Sequence, residues 1–260
     1  MALTDWSHRA HLDNASTAEP SNSVRLLGLA YGLSAFVVMC AFWAYFVAFL
    51  ANAPRLRAPW TSPSVDVGAT LDHPALAALV NLGLIALFGL QHSLMARPRL
   101  KAWWAAAIPP AFVRVTYVHA ANAALWMLVL FWQPLPGIIW QADGILRAAL
   151  WTLFVLGWIT LLAGALSFGL LELLGIDRVW GWYRGLPEKT SRLKTHWLYD
   201  WVRHPMYVGV LLGVWATPRM TVGHALLAAG LTLYVMIAMR YEERDLRAAF
   251  GEAYQRWRSA

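Results

Sequence analysis

Residues 206–239, MYVGVLLGVWATPRMTVGHALLAAGLTLYVMIAM, decide the architecture of this chain. The run is too long for one ordinary membrane span, since about 20 apolar residues cross a hydrocarbon core of about 30 Å. Thr217-Pro218-Arg219-Met220 interrupts it, and proline next to arginine inside an apolar helix marks a turn. The segment reads as a helical hairpin whose first arm is short and crosses only part of a bilayer. Upstream, four stretches have the length of a full span: Val24 to Leu50, Ala75 to Met95, Phe112 to Trp132 and Ala148 to Leu174. The expected fold is all-α, a polytopic membrane helical bundle of four full spans plus a C-terminal helical hairpin. Residues 1–23 form a cytoplasmic N-terminal segment, and 24–260 form one domain.

Composition supports the same class. With 59% hydrophobic and 13% charged residues and a mean hydropathy of +0.48, the chain is written for lipid, which excludes an ordinary soluble enzyme. A net charge of +7 then fits loops facing anionic lipid and the cytoplasm, and no nucleic-acid partner is expected. Cys40, the one cysteine, lies in an apolar run, so a disulfide framework and a cysteine-based metal site are both excluded. Asp5, Arg9, Asp13 and Glu19 precede the first apolar stretch, the wrong order for a cleaved signal peptide.

Loop charge tests the count of crossings. With the amino terminus in the cytoplasm, seventeen of the twenty-one Lys and Arg residues fall on that side, leaving only Arg55, Arg57, Arg147 and Arg219 opposite. Both termini are therefore expected on the cytoplasmic face of the cell's inner membrane. Trp103, Trp104, Trp132, Trp140, Trp180, Trp182, Trp197 and Trp201 lie near the ends of spans, as an interfacial belt requires.

This orientation puts the loop 175–204 and the tail 240–260 on one face. The loop ends in Arg203-His204-Pro205-Met206-Tyr207-Val208-Gly209, and the second hairpin arm runs out through Tyr241-Glu242-Glu243-Arg244-Asp245. Adjacent arms stay close, so His204 and Tyr207 approach Glu242 or Glu243 at the membrane border, and a polar cluster at an apolar cleft is a candidate small-molecule site. Taken alone, the same residue types also fit interfacial positives and helix-end ion pairs of small energetic value.

RHPMYVG at 203–209, the hairpin, EERDL at 242–246 and Phe250-Gly251 before Tyr254 resemble the membrane methyltransferases that include isoprenylcysteine carboxyl and phospholipid N-methyltransferases. LFGLQHSLMARPRLKAWW at 87–104, RVTYV at 114–118, LFWQPLP at 130–136 and VWATPRMTVGH at 214–224 extend the likeness to one branch, the bacterial methanethiol S-methyltransferases, which make dimethyl sulfide. The resemblance implies S-adenosylmethionine as cofactor, held by about residues 175–260, and a small thiol as methyl acceptor. Carried over by position, Arg203, His204, Tyr207, Gly209, Glu242 and Glu243 would bind the cofactor. His204 or Glu243 would also serve catalysis by accepting the thiol proton. The chain departs from the branch at Gly169-Leu170-Leu171-Glu172, where a more polar sequence is expected and only the acidic position, Glu172, survives. Ala238 stands where the carboxyl methyltransferases carry arginine, which argues against a prenylcysteine carboxylate and leaves a different lipid-soluble acceptor as an alternative.

His92 and His119 fall at matching ends of the second and third spans, so with Glu172 they are candidates for the substrate pocket. Two facing imidazoles also suit a haem iron, and Gln91-His92-Ser93 resembles the family of zeta-carotene isomerase; a haem-dependent membrane isomerase is the competing enzyme reading. Either histidine alone needs only one polar partner within a bundle. A non-catalytic scaffold or transporter is the third reading, and it predicts no cofactor affinity.

Overall fold

The computed structural model describes residues 20–53, 63–187 and 198–259. In chain order these form α1 (Asn22–Leu50), α2 (Pro74–Met95), α3 (Pro98–Ala105), α4 (Pro110–Leu130), β1 (Ile138–Gln141), α5 (Gly144–Phe168), α6 (Leu170–Leu174), α7 (Ile176–Tyr183), α8 (Leu198–Trp201), α9 (Pro205–Trp215), β2 (Arg219–Thr221) and α10 (Val222–Ser259). The segment 1–23 lies almost wholly outside the described residues, as do Arg55, Arg57 and Trp197.

Helices α1, α2, α4, α5 and the part of α10 from Val222 to Glu252 are long and apolar enough to cross a membrane. Leu27, Leu79 and Ile145 are among the large apolar side chains turned outward, as in a bundle whose surroundings are hydrocarbon. The expected all-α, multi-pass bundle is thus the fold. Proline opens α2, α3, α4 and α9, where its missing N–H goes unmissed. At 11 residues α9 rises only about 16 Å, the short arm of the hairpin.

Three expectations need correction. The fourth apolar run is not one helix: Gly169, at φ +100°, ends α5 and a separate α6 carries Glu172. The hairpin turn contains β2, paired antiparallel with β1 from the α4–α5 connection, so the bundle has a two-stranded ribbon at one end. Trp132 is no belt residue; it is 1% exposed in the core, and its Nε1–H donates to the Val65 carbonyl at 3.2 Å. Trp103 and Trp201, by contrast, are exposed.

The core on that side is aromatic. Phe42, Phe46, Phe49, Phe154 and Trp132 are buried together, with Trp43, Trp126 and Trp158 against them. Beyond it a polar network ties three connections at the same end. Asp66 accepts from Asn52 Nδ2 at 2.7 Å and from Thr221 Oγ1 at 2.5 Å, and Ser64 Oγ donates to Asn52 Oδ1 at 2.7 Å. Hydrogen bonds to a charged acceptor contribute about 1.5–3 kcal/mol each. Asp66→Ala, which deletes the shared acceptor, is expected to lower stability by about 3 kcal/mol or more; thermal unfolding in detergent reads it, and an unchanged Tm would mean the network is not structural.

The closest helix pair is α5 and α9. A Cβ on Gly209 would collide with the Leu161 amide and lie 2.7 Å from the Gly157 carbonyl oxygen, and one on Gly157 would lie 2.6 Å from the Gly213 amide nitrogen. Glycines four apart on α9, Gly209 and Gly213, let the two backbones touch, the small-residue packing on which helices in lipid rely. This contact fixes the arm that begins at His204.

Candidate functional site

At the end of the bundle opposite the ribbon, the two hairpin arms meet. Pro205 starts α9, so His204 is its N-cap, and its carbonyl accepts the Val208 amide at 3.1 Å. One turn on, Tyr207 projects from the same side; the His204 and Tyr207 rings stack with centroids 5.6 Å apart at 25°. From α10, Tyr207 Oη donates to Glu242 Oε2 at 2.7 Å, and His204 Nε2 lies 3.4 Å from Glu243 Oε1. Neighbouring glutamates on one helix thus face two different residues of the other arm.

The glutamates have unlike surroundings. Glu243 is an ionic hub, with Arg203 at 3.4 Å and Arg247 at 3.1 Å in addition to His204. Arg203 and Arg247 are about half exposed, so these pairs are screened and individually weak. Glu242 points inward instead. Beyond its hydrogen bond from Tyr207, its charge is felt by three further phenols, Tyr117 on α4, Tyr199 on α8 and Tyr234 on α10. On α8, outside the spans, burial and then the Glu242 charge raise the Tyr199 phenol above its ordinary range, so it stays protonated as a donor.

Helix α2 closes the cleft. The His92 ring lies 5.0 Å from Tyr117, 5.4 Å from Phe88 and 6.1 Å from Tyr234. Below it, the Arg97 guanidinium sits 4.4 Å over the Tyr241 ring and 3.7 Å from Asp245, which pins the α2–α3 junction to α10. Gly89 leaves room for the Tyr234 ring, whose Cδ2 would be 3.3 Å from a Cβ there.

The other anticipated site residues lie elsewhere. Gly209 is turned to α5, and the close approach it permits there is to the backbone of that helix. His119 faces α1, with Nε2 3.2 Å from Ser34 Oγ and its ring 4.7 Å from Tyr31. Tyr117, two residues earlier and so on the opposite side of α4, faces His92. The two histidines therefore do not share a cleft, and nothing in their placement favours the haem isomerase. Glu172 belongs to a separate charged group with Arg114 and Asp177 where α4 meets α6 and α7; Arg114 there donates from Nε to the Leu173 carbonyl at 3.0 Å. Sequence reading missed Tyr117, Tyr199 and Tyr234. Tyr234 lies about two helical turns before Glu242, a spacing that does signal a shared region of the helix.

Residues 151–253 match the family model described as phospholipid methyltransferase. The chain is 39% identical over 242 residues to a methanethiol S-methyltransferase of Mycobacterium tuberculosis, an alignment spanning 90% of this chain and 93% of that protein. It is 38% identical over 236 residues to methanethiol S-methyltransferase 2 of Bradyrhizobium diazoefficiens, spanning 90% and 88%. Nurim of Homo sapiens, whose name states no reaction, is 32% identical over 243 residues, spanning 85% and 90%. No solved structure matches.

Proposed function

Because the chain belongs to the methanethiol S-methyltransferase family, we propose that it transfers the methyl group of S-adenosylmethionine to methanethiol, giving dimethyl sulfide. The observation that carries this reading is Glu242, a carboxylate hydrogen-bonded by Tyr207, with the phenols of Tyr117, Tyr199 and Tyr234 within its electrostatic reach, at one end of an apolar bundle. That donor set suits a zwitterionic sulfonium. Aromatic faces and a carboxylate both attract a cation, and Glu242 and Glu243 offer acceptors for an ammonium group or ribose hydroxyls. Arg203, beside Glu243, offers a fork for a carboxylate. His204 stacks on Tyr207 and holds Glu243, keeping both arms in register.

The bound cofactor supplies an electrophilic methyl group on a positively charged sulfur. The chain's own part is to align an acceptor behind that carbon and to keep water away. When a thiolate attacks, charge is lost in the transition state, so a water-poor cleft between apolar helices favours the step, and most of the rate gain comes from alignment. The acceptor is volatile and lipid-soluble and enters through the bilayer, while the donor comes from the cytoplasm. With both termini cytoplasmic, the His204–Glu243 end of the bundle meets that supply.

Membranes carrying the protein, given methanethiol and S-adenosylmethionine, are expected to release dimethyl sulfide detectable by headspace gas chromatography, and His204→Ala membranes about tenfold less, the loss of one charge-assisted contact. Cofactor binding without dimethyl sulfide would reject the acceptor and keep the reaction class. Absence of cofactor binding would reject both.

A further inference from the structure

Resting on the methyl-transfer reading above, we propose that the amino-acid end of the methyl donor docks on Arg97 and Asp245, its carboxylate on the guanidinium and its ammonium on the aspartate. Arg97 is the N-cap of α3. Its Nε–H donates to the Ser93 carbonyl at 3.1 Å, which with the Tyr241 ring 4.4 Å away fixes the fork in place. Nη1 then stops 3.7 Å from Asp245 Oδ2, close enough to attract but too far for a hydrogen bond. Both atoms are buried, and among the described residues neither has a hydrogen-bond partner. The other aspartate oxygen lies 3.7 Å from Nε of Arg244, an exposed side chain.

An ion pair held open in this way selects its guest by charge. Buried donors and acceptors left unpaired are costly, yet a free anion would be repelled by Asp245 and a free cation by Arg97. An α-amino-acid zwitterion carries both charges one carbon apart, so it gives each atom a partner and adds no net charge. Arg97 presents the planar fork that a carboxylate matches. The pair is also reached from outside the bundle: the Arg97 side chain is 22% exposed and Tyr241 beside it 39%.

Glu242 stands three residues before Asp245 on α10, so the two carboxylates are neighbours on the helix surface. Three carbons separate the donor's sulfonium from its ammonium, a span that suits that step. The charges of Arg97 and Glu242 also act on the same two phenols, Tyr117 and Tyr234, which places both at one end of the bundle. Arg203, the other guanidinium near these carboxylates, is half exposed and already 3.4 Å from Glu243, so water screens it. Arg97 lies outside residues 151–253, the part matching the phospholipid methyltransferase model. The grip on the donor therefore draws on the amino-terminal half of the chain as well as on the hairpin.

The test compares S-adenosylmethionine with its decarboxylated form, which lacks only the carboxylate. Calorimetry on purified full-length protein in detergent measures both affinities, and their ratio is the readout, because a merely structural loss lowers both alike. The wild type is expected to bind the decarboxylated donor about 10- to 100-fold more weakly. Arg97→Gln is expected to weaken S-adenosylmethionine by about that factor without weakening the decarboxylated form, so the preference disappears. Arg97→Lys, which keeps the cation and loses the fork, should retain a preference of about tenfold or less. Asp245→Asn is expected to weaken both donors, since both carry the ammonium, and Arg203→Gln to leave the ratio at its wild-type value. Equal affinities in the wild type, a preserved ratio in Arg97→Gln, or a ratio abolished by Arg203→Gln would overturn the proposal. Should neither Arg97 variant fold, Arg203→Gln decides: an intact preference supports Arg97 and a lost one overturns it. Dimethyl sulfide release with no preference between the donors would overturn this placement and leave the methyl-transfer reading standing, whereas a wild type that binds neither donor ends both.

Discussion

Glu242→Ala is expected to weaken S-adenosylmethionine binding by about 10- to 100-fold in a protein that still folds. Hydrogen bonds to a charged group contribute about 1.5–3 kcal/mol, and 1.4 kcal/mol is a factor of about ten in a binding constant. Glu242 lies inside the cleft and already accepts a hydrogen bond from Tyr207, so its carboxylate is oriented before the ligand arrives. Tyr207→Phe, which keeps the ring and removes only the hydroxyl, should cost about tenfold or less. Glu243→Ala should cost less than Glu242→Ala, because Glu243 spends its charge on three neighbours at the solvent edge. Calorimetry on detergent-solubilised protein measures all three. Wild-type affinity in Glu242→Ala would remove the basis for placing the sulfonium at this carboxylate.

Gly209→Val is expected to yield no folded protein, and Gly209→Ala to lose about 3 kcal/mol of stability. The cause is the absence of space: a Cβ at that position meets backbone atoms of Leu161 and Gly157, which cannot rotate aside. If Gly209 acted chiefly by admitting the cofactor, the alanine variant would keep its Tm and lose affinity. Contact with α5 instead predicts a fall in Tm in the absence of any ligand, which thermal unfolding in detergent distinguishes directly.

The hairpin was readable from the sequence because its signals are local: apolar length, then Pro218 and Arg219 in the middle of it. The meeting of His204 and Tyr207 with Glu242 and Glu243 followed from the hairpin alone, since consecutive antiparallel arms have little choice of neighbour. What stayed hidden depends on which helix packs on which. Hydropathy does not encode that, because lipid tails are as apolar as a leucine face. So Gly209 read as a ligand contact before its opposing helix was known, and His92 and His119 read as a pair before α4 was seen to separate them. Tyr117, from a distant span, could not be assigned to Glu242, whereas Tyr234, about two turns away on the same helix, carried a local signal that was open to reading. The β1–β2 ribbon escaped for a similar reason. Its strands have four and three residues and join connections far apart in the chain, so neither carries a pattern of its own.

The α5–α9 seam also bears on turnover. Backbone laid on backbone has no side chains to swing out of the way, so that wall of the chamber cannot breathe without the whole arm sliding. Further along the other arm, α10 leaves helical geometry at Gly251, with φ 49° and ψ −124°. The two arms are thus held by unlike means: one by backbone contact along its length, the other, beyond its bend, by the fully buried side chain of Tyr254.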